Sequence, residues 1–305
     1  MQKEIDISLI ICTRNREKFL DPFLMALANI QCEDSYEIVI VDNGSTDETL
    51  HKLEDARSRF QCPYKIVHEP RAGTGIARNA GVAKSSGKLI AFTDDDCYVP
   101  HDFLTEIVAA FADENIGYIT GMISLHDPSD ISETTNESQI RESYPPYSFI
   151  RTGQVQGANM AFRRRALAEA GGFDPAFGAG TPFPCEDCDA AARVALKGWA
   201  GAYVPEVVVS HHHRRKEAAR ESLLRGYDRG RGAYHTKLLL SANWRHGLIG
   251  WSGIAQRRNW RPETPFWEFV GSLHYLMAVF ARAFSIPGRP PSPSTDARTS
   301  SRHQA

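Results

Sequence analysis

Three consecutive aspartates, Asp94, Asp95 and Asp96, end a short apolar run that begins at Leu89. Such a run is typical of a strand that is buried on both faces. Because like charges repel, three adjacent carboxylates are unfavourable inside a fold unless a cation lies among their oxygens. Hard divalent ions take oxygen ligands, so the triplet predicts a site for Mg²⁺ or Mn²⁺ that carries a phosphorylated ligand. A solvated acidic turn, with Asp96 capping the next helix, is the alternative.

Apolar strands alternate with helical segments through the first 120 residues. Strand patterns cover residues 5–13, 36–41 and 64–68, in addition to the strand before the aspartates. Strand, loop and helix repeated in this way imply right-handed crossovers and a parallel sheet. The pattern therefore predicts an α/β fold whose strands all end at the same edge.

Polar residues follow these strands. Thr13 and Arg14 come at the end of the first strand, and Asp42 at the end of the second. In open α/β sheets, ligands bind just beyond the carboxyl ends of the strands. The chain has no Gly-x-Gly-x-x-Gly or Walker-type loop, so neither a dinucleotide nor the P-loop mode of ATP binding is supported. If the sheet binds a nucleotide, a metal must hold its diphosphate.

Two further groups lie in the second half of the chain. Glu186 and Asp187 open a helical segment, where the helix dipole and free N–H groups hold a carboxylate ionised. That suits a base able to take a proton from a hydroxyl; capping alone is the alternative. His211 to His213 follow a strand, and alternate residues there face one side.

Composition limits the class of protein. With 305 residues, 42% hydrophobic and 24% charged, the chain is an ordinary globular protein with a large core. A net charge of −2 gives no general attraction to nucleic acid. Six scattered cysteines do not make a disulfide framework, and the N-terminus shows no apolar signal segment. We therefore expect a cytoplasmic protein.

The combined motifs resemble those of family 2 glycosyltransferases. These enzymes have the GT-A fold and are the large inverting group that uses nucleotide-diphospho sugars. The resemblance runs from about Ile7 to His213, and its motifs occur in the family's order. They are Ser8-Leu-Ile-Ile-Cys-Thr-Arg-Asn-Arg16, Ile40-Val-Asp-Asn-Gly-Ser-Thr-Asp47, Gly75-Ile-Ala-Arg-Asn-Ala-Gly81, Phe92-Thr-Asp-Asp-Asp96, Gly157-Ala-Asn-Met-Ala-Phe-Arg-Arg164 and Cys185-Glu-Asp-Cys-Asp189.

The resemblance implies a role for each candidate residue. A donor, with UDP-sugars favoured, would be bound by one group of residues: Thr13, Arg14, Asp42, Arg78, Asp94 and Asp95. Among them, Thr13, Asp42 and Arg78 would contact the nucleobase and ribose, and Asp94 would lie near the ribose. The metal would be held by Asp95, Asp96 and His211, although which aspartate ligates it directly is open. Asp187 matches the catalytic base. Further candidates are Glu186, Asn159 and His213, the last competing with His211.

The resemblance also implies a division of the chain. The fold would be a GT-A (Rossmann-like), mostly parallel sheet flanked by helices, with a C-terminal helical extension. Residues 1–120 would bind the nucleotide sugar, and residues 121–215 would hold the acceptor and the catalytic base. Residues 216–285 would form the helical extension, and the Pro-, Ser- and Arg-rich residues 286–305 are expected to be disordered.

The acceptor would be a glycan or a lipid-linked hydroxyl, with no role for nucleic acid. The basic segment 214–237 and the aromatic segment 266–284 either cover the acceptor region or rest on the inner face of the cell membrane. The aromatic segment is interrupted by Glu268, His274 and Arg282, so it falls short of a spanning helix.

Two other functions compete with this interpretation. A nucleotidyltransferase would carry an N-terminal Gly-rich loop, but residues 10–16 contain no glycine. A non-catalytic zinc-dependent interaction module would use Cys185, Cys188 and the histidines. One Cys-x-x-Cys on a predicted helix is weak support for zinc, since structural zinc sites need four ligands.

Overall fold

The computed structural model of the chain describes residues 4–253 and 260–284. The strands of this part of the chain are β1 (Ile7–Thr13), β2 (Tyr36–Asp42), β3 (Tyr64–His68), β4 (Leu89–Asp94), β5 (Cys97–Tyr98), β6 (Ile116–Leu125), β7 (Glu142–Tyr144), β8 (Asn159–Arg163) and β9 (Ala200–His211). Its helices are α1 (Leu20–Ala28), α2 (Thr49–Asp55), α3 (Thr74–Lys84), α4 (Phe103–Ala110), α5 (Arg164–Glu169), α6 (Glu186–Ala195), α7 (Glu217–Leu239), α8 (Trp244–Ser252) and α9 (Thr264–Phe284).

The strands form a single mixed sheet in the order β3-β2-β1-β4-β8-β6-β9-β5, with β7 also paired to β9. The expected parallel arrangement holds among β1 to β4 and between β6 and β9. β8 lies antiparallel to both β4 and β6. A parallel return needs a crossover helix, and the chain between β6 and β8 contains none. The fold is α/β with a mixed sheet.

The stretch before β8 is not a strand. The small and polar residues from 153 to 162 have a composition that would suit a strand, but β8 begins only at Asn159. The preceding residues form turns. These turns bring Gly157 so close to Arg78 that a side chain at Gly157 would collide with the guanidinium. The small residue therefore serves close packing rather than a strand.

Alternate side chains of the strands build a core on each face of the sheet. Along β1, Leu9 and Ile11 point to the layer that holds α1 and α4, whereas Ile10 points to the opposite layer with α3 and α6. This alternation follows from the two-residue period of a strand. Burial on both faces explains why β1 reads as a continuous apolar run.

The C-terminal extension consists of α7, α8 and α9, with α8 and α9 both packed against α7. Among the described residues, no helix has both the length and the apolar character that crossing a bilayer requires. The tail predicted to be disordered, residues 286–305, lies outside the described residues.

Candidate active site

The carboxyl ends of the parallel strands meet at one edge, as the alternation predicted. The β1–β2 register places Thr13 beside Asp42, and the β1–β4 register places Cys12 beside Asp94. β9 reaches the same region from the other half of the sheet, because His211 at its end pairs with Cys97, the residue after Asp96. Residues far apart in the chain thus converge on one site.

Asp95 and Asp96 are buried side by side beneath one arginine. The Arg16 Nε atom lies 3.0 Å from Asp95 Oδ1, and its Nη2 atom lies 2.9 Å from Asp96 Oδ2. The Thr13 hydroxyl donates to Asp95 Oδ2 at 2.6 Å, and His211 Nε2 lies 3.2 Å from Asp96 Oδ1. Each carboxylate therefore has a fixed orientation and a cationic or hydrogen-bonding partner.

The two carboxyl groups differ in their acidity. Burial raises the pKa of Asp95 to about 7, against the lowering by the positive charge of Arg16. Burial also acts to raise the pKa of Asp96, but the hydrogen bond and charge of His211 outweigh it and lower that pKa to about 2. Adjacent carboxylates in a cation-binding site are expected to diverge in this way.

The donors in this cluster fit a hard divalent ion. Ligand atoms of Asp96, Cys97 and His211 lie within 4.8 Å of one another. The Nδ1 atom of His211 is buried and has no hydrogen-bond partner among the described residues. Burial raises the pKa of the Cys97 thiol well above its usual value, so the thiol stays protonated and is a poor ligand. The carboxylate oxygens of the cluster remain, which suit Mn²⁺ and Mg²⁺, together with one imidazole.

Arg16 is a residue that the sequence analysis missed in favour of Arg14. Arg14 is exposed, whereas Arg16 contacts both aspartates. Asn15 between them has φ of 54°, a left-handed conformation that asparagine tolerates better than most residues. The Arg-Asn-Arg sequence was therefore a signal for a turn that redirects the third residue.

Asp42 is buried at the end of β2. Its Oδ2 atom lies 2.9 Å from His68 Nδ1. Its Oδ1 atom accepts a hydrogen bond from the Ser45 backbone at 3.1 Å. These contacts hold the carboxylate at the strand edge next to Thr13.

Two of the further candidates are committed to structural contacts. The Nδ2 atom of Asn159 donates to the carbonyls of Met122 and Val207 at 2.8 and 2.9 Å, which ties β8 to the neighbouring strands. His213 Nε2 bonds the Ile131 carbonyl at 2.8 Å, and its Nδ1 accepts the Arg215 backbone N–H at 3.0 Å. His211, rather than His213, lies against the aspartates.

Asp187 lies in the first turn of α6 and is half-buried. Its Oδ2 atom accepts the Gly157 N–H at 2.9 Å, and its Oδ1 atom accepts the Cys188 N–H at 2.7 Å. Burial raises the pKa of the Asp187 carboxyl, against the lowering by the charge of Arg78 and by these N–H groups. An oriented carboxylate with a raised pKa is suited to accept a proton.

Arg78 joins α6 to the end of β4. Its Nη1 atom lies 2.8 Å from Glu186 Oε1, and its Nη2 atom lies 3.6 Å from Asp94 Oδ1. The guanidinium is buried over the rings of Phe92 and Phe173. Burial raises the pKa of Glu186 to about 7, against the lowering by Arg78. This contact places the helix of Asp187 beside the aspartate triplet.

Two other groups of possible metal ligands lie near the site. Cys185 and Cys188 are close to Asp187, but the hydrogen bond between the thiols and their burial raise the pKa of Cys185 well above its usual value. No histidine shares this group among the described residues. A second group, around Asp130, is neutralised by Lys216, whose Nζ lies 2.5 Å from Asp130 Oδ1. Neither group supports the zinc-module interpretation.

Comparison with known proteins decides the family. Residues 8–171 match the family model described as Glycosyl transferase family 2, which covers more than half of the chain. The chain belongs to glycosyl transferase family 2. A putative glycosyltransferase of Bacillus subtilis, EpsH, is 28% identical over 173 residues, which are 54% of this chain and 48% of that protein. The poly(ribitol-phosphate) β-N-acetylglucosaminyltransferase TarS of Staphylococcus aureus is 32% identical over 109 residues, 35% of this chain and 19% of TarS. The chain thus matches about half of EpsH and a smaller part of TarS.

Solved structures show the same fold. The mannosyltransferase PcManGT of Pyrobaculum calidifontis, in complex with GDP-Man and Mn²⁺, superposes with a TM-score of 0.64 at 19% identity, covering 94% of this chain and 78% of that one. TarS residues 1–349 with UDP-GlcNAc superpose with a TM-score of 0.62 at 16% identity, covering 91% and 82%. The family 2 domain of this chain therefore has the GT-A fold, which extends beyond the part matched by sequence.

Proposed function

We propose that this family 2 member is a metal-dependent, inverting glycosyltransferase. It moves a sugar from a nucleotide-diphospho sugar, with UDP-sugars favoured, to a hydroxyl of a glycan or lipid-linked acceptor. The observation that carries the proposal is the bridge formed by Arg78, which lies 3.6 Å from Asp94 and 2.8 Å from Glu186. Through this bridge, the aspartate triplet lies beside Asp187. The proposed displacement at one carbon needs the two groups close together, because one holds a cation and the other accepts a proton.

Residues 1–120 would hold the donor, and residues 121–215 the acceptor and the base. In this proposal, Thr13, Arg14, Asp42 and Asp94 face the base and ribose at the strand edge. Thr13 has a second task, because its hydroxyl donates to Asp95 and orients that carboxylate. Arg78 is buried and bonded to protein groups, so we assign it the positioning of α6. Residues 216–285 would form the helical extension.

Mn²⁺ or Mg²⁺ would be held by Asp95, Asp96 and His211. When bound, the ion would neutralise charge that develops on the departing diphosphate. The PcManGT complex with GDP-Man and Mn²⁺ supports this choice, as does the orphaned Nδ1 atom of His211. Arg16 contributes further positive charge at the same end of the site.

Asp187 would act as the general base. Its carboxylate takes the proton of the acceptor hydroxyl while that oxygen bonds to the anomeric carbon and the bond to the diphosphate breaks. The N–H groups of Gly157 and Cys188 hold the carboxylate in place, and its raised pKa strengthens it as a base. A single displacement inverts the configuration, so no covalent nucleophile is needed.

A donor panel tests the proposal. Purified protein is incubated with UDP-, GDP- and dTDP-sugars and Mn²⁺ or Mg²⁺, and nucleotide release is followed with and without EDTA. Release from one donor, abolished by EDTA, is expected, and the anomeric configuration of a transferred sugar then reports inversion. If no nucleotide binds in a metal-dependent manner, the proposed function is wrong.

The place of action proposed is the cytoplasm, at the inner face of the cell membrane. A lipid-linked acceptor presented there would approach from the bilayer surface. Comparing the initial rate with the same acceptor in vesicles and as a short soluble analogue tests this part of the proposal. Equal initial rates with the acceptor in vesicles and with the soluble analogue would contradict this part of the proposal.

A further inference from the structure

The α9 helix is amphipathic in the opposite sense to an ordinary surface helix. The side chains it turns towards the protein are mainly small or polar: Thr264, Glu268, Gly271, Ser272 and Tyr275. Most side chains it turns outward are large and apolar, with exposures of 47–63%: Phe266, Phe269, Leu273, Met277 and Phe280. His274 is exposed as well. A helix of a globular protein normally buries its apolar side and exposes its polar side. Water is therefore a poor solvent for the outer side of α9.

The inner side of α9 packs on α7 through glycines. A side chain at Gly232 of α7 would collide with the Glu268 carbonyl, and one at Gly271 of α9 would collide with the Arg229 carbonyl. The Ser272 hydroxyl lies 3.1 Å from the Gly232 carbonyl and bridges the two helices. Close backbone approach through small residues, supported by polar side chains, is how helices associate in lipid.

Charged groups near α9 are also directed inward. The Arg231 Nη1 atom lies 2.9 Å from Asp228 Oδ1 and 3.0 Å from Glu268 Oε1, and Arg261 pairs with Asp228 as well. Glu268 is fully buried. Between residues 264 and 281 it is the one Asp, Glu, Lys or Arg, so the outward side of α9 carries no carboxylate.

Aromatic and cationic side chains border this apolar side. Arg225 and Arg229 of α7 stack on Trp267, and Arg245 of α8 stacks on Trp244. α8 also leaves apolar side chains about half exposed: Trp244, Leu248 and Ile249. Tryptophan and arginine beside an apolar surface are the side chains favoured at the boundary between headgroups and acyl chains. We call the outward side of α9 the C-terminal apolar face.

We propose that the C-terminal apolar face inserts into the headgroup–acyl boundary of a lipid bilayer with anionic headgroups. One side of α9 is polar and packed on α7, and the other is apolar, so α9 lies in the plane of the bilayer. A second copy of the chain is a poorer occupant. Twofold pairing would place the same carboxylate-free side of each α9 against the other, so the pair would gain no charge complementarity.

The inference rests on the proposed function in one respect, the identity of the acceptor. α7, on which α9 packs, also contacts the segment just before the proposed base. A side chain at Gly230 of α7 would collide with the carbonyl of Pro184, three residues before Asp187. One helix therefore borders both the proposed base and the C-terminal apolar face. A lipid-linked acceptor held at the bilayer would reach the site along α7.

Vesicle co-sedimentation of the full chain tests the inference. The probe is vesicles of phosphatidylcholine and phosphatidylglycerol, and the variant is Phe269→Gln/Met277→Gln. The matched control is Met25→Gln/Ile140→Gln, which replaces two equally exposed apolar side chains elsewhere on the molecule. All three proteins should show the same thermal unfolding and the same nucleotide release from the donor, because none of these side chains lies in the site.

The wild type and the control should bind the vesicles equally, and the α9 variant should bind about tenfold more weakly or worse. No vesicle binding by the wild type, or equal binding by the α9 variant, would overturn the inference. So would a wild-type dimer in sedimentation equilibrium that the α9 variant abolishes without any change in vesicle binding. Vesicle binding by a protein that binds no nucleotide in a metal-dependent manner would uphold this inference while refuting the proposed function.

Discussion

The site contains two acidic clusters that are built alike but differ in access to solvent. Arg16 bridges Asp95 and Asp96, and Arg78 bridges Asp94 and Glu186. The Arg16 side chain is 30% exposed, whereas that of Arg78 is 4% exposed. An arginine therefore bridges two carboxylates in each cluster, but water reaches Arg16 and hardly reaches Arg78.

The difference indicates two functions for a guanidinium. Water reaches Arg16 although Asp95 and Asp96 are buried, so another cation can approach the carboxylates and take its place. Arg78 has exchanged water for Glu186, the Gly157 carbonyl and two aromatic rings. Removing it would leave a buried carboxylate without a partner, which is expensive. We therefore call the pair of aspartates with Arg16 the exchangeable cluster, because another cation can replace the arginine. We call the group around Arg78 the locked cluster, because this arginine fixes α6 relative to β4.

The largest effect is expected for Asp187→Asn, which tests whether the locked cluster exists to position a base. The amide cannot accept the hydroxyl proton, so kcat should fall about a thousandfold while the dissociation constant of the nucleotide is unchanged. Asp189→Asn is the matched control from the same helical turn. Its carboxylate bonds Arg193 and Lys237, so stability should fall but kcat per folded molecule should not. A small loss of kcat in Asp187→Asn would remove this residue from the chemistry.

Arg78→Met tests the lock itself. The free energy of unfolding should fall by about 3–5 kcal/mol, because Glu186 is left buried and unpaired. The double variant Arg78→Met/Glu186→Gln should regain part of this loss, since the orphaned charge is gone. Urea unfolding of the three proteins measures both effects. A loss below about 1 kcal/mol would show that the buried cluster is no stronger than a surface pair.

Arg16→Met tests the exchangeable cluster. Removing a cation from between Asp95 and Asp96 should tighten the binding of Mn²⁺ alone by about tenfold. Because both carboxylates are buried, the free energy of unfolding without the ion should fall, and saturating Mn²⁺ should restore most of that loss. Isothermal titration with Mn²⁺ gives the affinity without any donor present. Arg14→Met, an exposed neighbour in the same loop, should leave it unchanged. Weaker Mn²⁺ binding by Arg16→Met would mean that Arg16 supports the ion rather than competes with it.

The smallest effect concerns the pH dependence of the buried cluster. Burial raises the pKa of Glu186 from 4.5 to about 7. Between these values the unfolded chain has lost a proton that the native protein keeps, so Glu186 contributes less to stability as pH rises. From about pH 5 to pH 7, the wild type should lose about 1 kcal/mol or more relative to Glu186→Gln. If the free energies of unfolding of the two proteins change with pH in the same way, the pKa of Glu186 is not raised in the native protein.

Much of the donor side could be predicted from local pattern. The alternation of apolar strands and helices placed Thr13, Asp42 and Asp94 at one edge, and the registers of β1 with β2 and β4 confirm this. The pattern did not predict the antiparallel insertion of β8, since pairing direction depends on the route of the connecting chain. Nor did it predict α8, whose helix forms against α7.

Three decisions belong to the tertiary structure. The left-handed turn at Asn15 selects Arg16 over Arg14 for the aspartates. Packing against Glu186 and Gly157 makes Arg78 a bridge. Contact with α7 determines which side of α9 is buried. Local sequence specifies whether a segment has the period of a helix or of a strand. It also specifies at which end of that element a charged residue lies, because both depend on residues close together in the chain. Which side faces the protein, and which charges share a site, depends on partners that the chain brings together only on folding.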